Sequence, residues 1–173
     1  MITPLLGDPG SMSALGASLR RTAVRLSADS EDLERAADDA TPGWSGPRAT
    51  GLRQRVSTTA EETKAVAAAL DDAGKALQAA ATDLSTAIAR LRELEDAAAA
   101  AGLELREGGV TKGWGITGVA DAATVRDEDR ERERLQERVH QAVSALGQKR
   151  SRLATELDRA STLLRASSAH LRR

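Results

Sequence analysis

Few residues in this sequence could carry acid–base, metal or nucleophilic chemistry, and their spacing keeps them apart. The two histidines, His140 and His170, fall on one predicted helix, where thirty residues at ~1.5 Å each separate them by roughly 45 Å. One chain therefore cannot place both at a single site. Cysteine is absent, which excludes thiolate metal ligands and a cysteine nucleophile. No serine lies in a recognisable nucleophile elbow with a histidine within reach.

A glycine-rich stretch, Gly113 to Gly118, formally matches the Gly-x-Gly-x-x-Gly phosphate-binding pattern. That pattern binds a dinucleotide only between a strand and a helix of a parallel sheet, and the sequence has no further strands to build one. The glycines are therefore interpreted as a connecting loop. Three acidic doublets lie in the predicted helices. The two side chains of each doublet point about 100° apart around the helix, so they do not converge as an acid/base pair would. These doublets are Asp38-Asp39, Glu61-Glu62 and Asp71-Asp72.

These observations predict a protein that is not an enzyme, with no catalytic residue, no cofactor and no metal ligand. The composition favours closely packed helices over a thick globular core, because aromatic residues make up only 1% of the chain. A net charge of -1 argues against a general nucleic-acid binder. No apolar run of about 18 residues is present, so we expect no stable insertion into a membrane.

Charge is unevenly divided along the chain. Residues 1–123 carry 13 basic and 18 acidic side chains, and residues 124–173 carry 12 basic and 8 acidic ones. The basic excess from Arg138 onward has two interpretations. It is either a solvated face that balances the acidic first part, or a surface for an acidic partner or an anionic membrane. Arginine far outnumbers lysine and alanine is abundant, which is typical of a GC-rich bacterial genome.

Apolar periodicity predicts two long helices in the first hundred residues. After an irregular lead-in over residues 1–10, helix one spans about 11–40 with Ser11 as its N-cap. Helix two spans about 47–101 and carries a heptad-like apolar stripe for about six repeats. The apolar positions that define the face of helix one are Met12, Leu15, Leu19, Ala23, Leu26, Leu33, Ala37 and Ala40.

The helical apolar repeat ends at Gly102, a residue type that commonly terminates a helix, and this predicts the end of helix two. Residues 103–122 alternate apolar and polar side chains around two glycines, which indicates a small hairpin or a Gly-rich loop anchored by Trp114. From about 123 the helical periodicity returns and predicts a third helix to about 170, in a final segment that runs to residue 173. Its stripe is interrupted near Lys149 and Arg150, where an apolar residue was due.

Together these elements predict an all-α fold, in which a third long helix packs back on an elongated helical hairpin to form an antiparallel three-helix bundle. The bundle would be three helices thick near the turn between helices one and two, and two helices thick toward the 102–122 loop. A two-helix stretch leaves an apolar stripe exposed, which favours a partner. The residues predicted to form the helix seam and carry assembly are Leu70, Leu77, Leu84, Ile88, Leu91, Leu135, Val139, Leu146, Leu153 and Leu157.

The turn itself is Pro42-Gly43-Trp44-Ser45-Gly46-Pro47, which cannot continue either helix. Pro42 disfavours helix in the residue before it, the glycines permit unusual backbone angles, and Pro47 suits the first position of a new helix. Trp44 has two interpretations that are compatible with each other. Its ring closes the apolar end of the bundle, or it is recognised by a partner.

This arrangement of helix, Trp-x-Gly turn and helix resembles the WXG family of early-secreted-antigen-like type VII secretion substrates. The matching residues are Trp44, Ser45 and Gly46, near the middle of a helical hairpin over 11–102. Gly7-Asp8-Pro9 before a Leu-rich helix is similar to the longer WXG-like N-terminal modules of actinobacterial type VII proteins. The resemblance implies a hairpin that pairs into a four-helix bundle and is exported, already folded, by a membrane ATPase machine.

Two features depart from that family. Its C-terminal export signal contains a tyrosine, and this chain has none, so export would depend on the signal of a partner or on another signal. The third helix is also additional, and it could fill the groove that a dimer partner would otherwise occupy.

The resulting prediction is a non-enzymatic interaction and targeting module, made in the cytoplasm and secreted through a type VII system. Trp44 and Gly46 form the turn motif for partner recognition. The expected partners are another helical protein (a WXG-like protein, an effector or a second copy) and the type VII membrane ATPase. The alternative is a cytoplasmic coiled-coil scaffold or chaperone with no role in secretion.

Overall fold

The computed structural model describes residues 7–40, 42–106, 109–112 and 122–170. Within them the chain forms helices that pack together, which confirms the all-α, three-helix bundle-like fold. The elements in chain order are helix α1 (Pro9–Ala40), helix α2 (Pro47–Ala100), strand β1 (Leu103–Arg106), strand β2 (Gly109–Lys112) and helix α3 (Ala122–His170).

The helix ends agree with the sequence prediction to within two residues, and the largest difference is at the start of α1. This helix begins at Pro9 rather than Ser11, so Ser11 is not its N-cap and the lead-in is shorter than residues 1–10. The physical reason is that Pro suits the first helical position, with an Asp of the N-cap type before it. At the end of α2, Gly102 takes a positive φ of 71° and its N–H donates to the Ala99 carbonyl oxygen at 3.0 Å.

Contacts divide the chain into two compact units. The hairpin unit comprises Met1–Pro9 with Ala80–Arg152, and the turn unit comprises Gly10–Ala79 with Leu153–Arg173. Each of α2 and α3 contributes residues to both units. Each unit is therefore built from two separate stretches of the sequence.

In the hairpin unit, a two-stranded antiparallel sheet closes the core between α2 and α3. Leu103 pairs with Lys112 and Leu105 pairs with Val110, which confirms the hairpin interpretation of this segment. The Val110 N–H donates to Gln136 Oε1 of α3 at 2.7 Å, which holds the hairpin to that helix. The buried core residues are Leu91, Leu94, Ala98, Leu103, Leu105, Val110, Leu135 and Val139. The core of this unit is thus formed by two helices, as predicted, together with the hairpin, whose Leu103, Leu105 and Val110 cover part of the apolar stripe that was expected to be exposed.

In the turn unit, α1 packs on α2 through small side chains. The buried residues of α1 are Gly16, Ala23 and Ser30, one every seven residues. A Cβ added to Gly16 would lie 2.6 Å from the Gly74 carbonyl oxygen, and one added to Gly74 would lie 2.7 Å from the Gly16 carbonyl oxygen. The two helix backbones are therefore in direct contact at this point, closer than larger side chains would permit.

The apolar face predicted for α1 is correct in part. Ala23 is buried, and Met12, Leu19, Leu26 and Ala37 are half-buried. Leu15 is 54% exposed and Leu33 is 38% exposed, so these two leucines do not form the centre of the helix interface. Leu19 instead lines an open groove of about 510 Å³ beside Leu70 of α2 and Leu157 and Leu164 of α3. The small residues face α2 because only they let the helix axes approach this closely.

An ionic cluster centred on Asp71 lies beside the Gly16–Gly74 contact. Lys75 Nζ lies 2.6 Å from Asp71 Oδ2, and Arg20 Nε of α1 donates to Asp71 Oδ1 at 3.1 Å. Arg20 Nη1 also donates to Gln78 Oε1 at 3.1 Å. The hydrogen bonds from Lys75 and then Arg20 hold the pKa of the Asp71 carboxyl below its ordinary value of 3.8.

We expect Asp71→Asn to weaken the fold at neutral pH and to have progressively less effect in acid. The lowered pKa means that the Asp71 carboxylate stabilises the folded state above 3.8, and that this contribution is lost as the pH falls through the folded-state pKa. Urea unfolding of wild type and variant from pH 7 to pH 2 measures the difference. Asp72→Asn is the matched control, since Asp72 lies 3.6 Å from Lys75 and is 78% exposed. Equal pH dependence in both variants would contradict the role given to Asp71.

Candidate interaction surface

The turn between α1 and α2 takes the conformation that its residue types predict. Gly43 and Gly46 have φ values of 75° and 104°, in the left-handed region that side chains rarely adopt. Pro47 is the first residue of α2. The Thr50 N–H donates to the Gly46 carbonyl oxygen at 3.1 Å, and this bond closes the first turn of that helix. A Cβ at Gly46 would meet nothing within 4 Å, so Gly46 is required for its backbone angle and not for close packing.

Trp44 is displayed on the surface of this turn, with 45% of its area exposed. More than half of the residue's area is covered in the fold, so the interpretation in which the ring closes the apolar end of the bundle stays a prediction. Two small residues of α2, Ala49 and Ala60, are fully buried at 0% exposure. The recognition interpretation of Trp44 stays a prediction, and an exposed indole is what it requires.

The backbone of Trp44 is held by a residue that sequence reasoning missed. Arg53 Nη2, one and a half turns into α2, donates to the Trp44 carbonyl oxygen at 2.9 Å. This bond ties the peptide that carries the indole to the helix that follows. No sequence pattern marks Arg53, because the bond depends on how the turn folds over the start of α2.

The predicted seam residues lie in the helix packing. Six are buried and four are half-buried, so they hold α2 and α3 in the fold. Whether any of them also contacts a partner stays a prediction. The buried six are Leu77, Leu84, Leu91, Leu135, Val139 and Leu146, and the half-buried four are Leu70, Ile88, Leu153 and Leu157.

The interruption of the seam near Lys149 has a structural explanation. Lys149 Nζ of α3 lies 2.5 Å from Asp83 Oδ1 of α2, so an ion pair joins the helices where the apolar stripe is broken. A similar link occurs in the turn unit, where Lys64 Nζ of α2 lies 2.8 Å from Glu34 Oε2 of α1. These pairs are exposed, and each contributes little to stability on its own.

Among the described residues, the remaining chemical candidates do not assemble into a site. His140 is exposed on α3, while the His170 side chain, Trp114 and the Gly113–Gly118 stretch lie outside the described residues. Within the described part of the chain, no group of three His, Cys, Asp or Glu side chains is placed to hold a metal ion. None of the helices there combines the length and apolar character that crossing a membrane requires.

Comparison with known proteins assigns neither a family nor a function to this chain. No protein-family model matches the chain, and neither a curated protein nor a solved structure matches it.

Proposed function

We propose that this chain is a non-enzymatic interaction and targeting module that resembles the WXG-like substrates of type VII secretion. The observation that carries the proposal is Trp44, which is 45% exposed in a Trp-Ser-Gly turn between two helices. Trp is among the residues enriched at the energetic centres of interfaces, because its large ring offers apolar contact area and its N–H offers a hydrogen bond.

The geometry around the indole supports this use. The Arg53 bond to the Trp44 carbonyl oxygen holds the peptide that carries the ring, and Gly43 and Gly46 allow the positive φ angles that the turn takes on either side. A ring held on an ordered turn loses little conformational entropy when it binds, which favours affinity. The partner of this surface would be another helical protein or the type VII membrane ATPase.

The secretion route that we propose takes into account that these 173 residues include no tyrosine. The family's tyrosine-containing export signal is therefore not among them, and the signal in this proposal lies outside them or is of another kind. The module would then be made and folded in the cytoplasm and leave the cell as part of a complex.

Fractionation of the native host, with and without its type VII membrane ATPase, tests the proposal. We expect the wild-type protein in the culture medium only when the ATPase is present, and in the cytoplasm of the deletion strain. Release of a cytoplasmic marker protein controls for lysis. Retention in the cytoplasm of both strains would contradict the secretion role and leave the coiled-coil scaffold or chaperone as the function to pursue.

A further inference from the structure

A second surface, in the hairpin unit, lies between residues 83–91 of α2 and 138–150 of α3. It is a groove of about 470 Å³, here named the basic groove. Its floor continues the buried core, with Leu91 and Leu146 at 7% and 8% exposure. Val143 on its wall is 50% exposed, and no described residue outside these two helices lines it.

The dimensions of the basic groove suit a helix. At ~1.5 Å per residue, its walls extend for roughly 12 Å along α2 and roughly 18 Å along α3. That length accommodates two to three helical turns, enough for anchors at positions i, i+3, i+4 and i+7 of a docked helix. A concave channel between two helices matches the convex surface of a third helix better than it matches a flat membrane.

The charges on the rim determine which helix would fit. Four basic side chains line the groove, Arg90, Arg138, Lys149 and Arg150, against the single carboxylate of Asp83. Lys149 is already paired with Asp83. Arg90 and Arg138 have no hydrogen bond or ion pair to any other described residue. A groove with an apolar floor and a basic rim is complementary to an apolar stripe flanked by carboxylates.

We propose that the basic groove binds an amphipathic helix of a partner protein, with an apolar stripe on the floor and Asp or Glu side chains beside Arg90 and Arg138. This inference rests on the proposed function as an interaction module, and it places the helical partner on a surface separate from the Trp44 turn. It also selects the acidic-partner interpretation of the basic excess after Arg138.

Fluorescence anisotropy of the full chain with two synthetic peptides tests the charge requirement. One peptide is an amphipathic helix with a Leu stripe flanked by Glu, and the other has Lys in place of every Glu. We expect only the Glu peptide to bind, with affinity that falls as salt is added. The double variant Arg90→Glu with Arg138→Glu should raise the Kd of the Glu peptide by about tenfold or more.

Matched variants on the same two helices separate the groove from general electrostatics. Arg92→Glu with Arg152→Glu makes the same charge change outside the groove and should alter the Kd by less than about twofold. Val143→Gln should also weaken binding, whereas Val24→Gln, at a 69% exposed site on α1, should not. Equal loss of binding in both double variants would overturn the proposal.

Other occupants of the groove would give different results. Self-association in sedimentation that Arg90→Glu with Arg138→Glu abolishes would overturn the proposal in favour of a second copy. Binding to anionic phosphatidylserine vesicles that requires the same arginines, without binding of the Glu peptide, would overturn it in favour of a lipid surface. Failure of export in the host with intact peptide binding would contradict only the proposed function, and normal export without groove-dependent binding would contradict only this inference.

Discussion

Replacing Gly16 or Gly74 by alanine should lower the free energy of unfolding by about 1–3 kcal/mol, the typical cost of overpacking. Destabilisation is the opposite of the usual result of a glycine-to-alanine substitution in a helix. Alanine inside a helix is normally more favourable than glycine by about 0.5–1 kcal/mol. The new methyl group would lie 2.6 or 2.7 Å from a backbone carbonyl oxygen of the facing helix. A carbonyl cannot rotate away as a flexible side chain can, so the helices must separate.

Two other helical glycines provide the control for this prediction. A Cβ at Gly51 or Gly147 would meet nothing within 4 Å. Gly51→Ala and Gly147→Ala should therefore stabilise the protein by about 0.5–1 kcal/mol through helix propensity alone. Urea unfolding of all four variants, followed by circular dichroism, measures both signs. If all four substitutions stabilised the protein, the direct backbone contact between α1 and α2 would be wrong.

Trp44→Ala should abolish export of a protein that remains folded. If the exposed indole is an energetic centre of recognition, its removal costs about 2 kcal/mol or more, which weakens binding by about thirtyfold. The substitution should lower the free energy of unfolding by only about 1–2 kcal/mol, because nearly half of the residue is already in solvent and only the covered part is lost. Fractionation of the native host gives the exported fraction, and circular dichroism of the purified variant confirms the fold.

Val24→Ala is the matched control for Trp44→Ala. Val24 is 69% exposed and lies in the same unit, but on α1 and away from the turn. The Val24→Ala substitution removes exposed apolar area and leaves the Trp-Ser-Gly motif unchanged. Export of this variant should therefore equal that of the wild-type protein. Equal export of Trp44→Ala and wild type would remove the recognition role of Trp44, whereas loss of export in both variants would indicate a general effect of the exposed apolar surface.

Most of the secondary structure could be predicted from the sequence because its determinants are local. The apolar repeats of α2 and α3 persist for many turns, and Pro47 and Gly102 mark the ends of α2 with residues suited to those positions. The hairpin over Leu103–Lys112 followed from alternation around two glycines. Each of these signals lies within a few residues of the structure that it specifies.

The centre of the α1 face could be predicted only in part, since Ala23 was expected there and Gly16 and Ser30 were not. Its leucines repeat at helical spacing as convincingly as its small residues do, and both patterns satisfy the same periodicity. The choice between them depends on α2, which presents Gly74 at the level of Gly16 and so allows direct backbone contact. That pairing joins residues 58 positions apart, and no local pattern contains it.

The sequence by itself thus determined the helices and the turn, since propensity, periodicity and backbone restrictions act between near neighbours, and it gave the hairpin as one of two alternatives. Only the tertiary structure decided that Trp44 is exposed, that Arg53 holds its carbonyl oxygen, and that Lys149 pairs with Asp83. The same holds for the basic groove between α2 and α3. These features depend on which helix faces pack against each other. Burial and ion pairing are therefore set by contacts between distant segments and cannot be read from either segment alone.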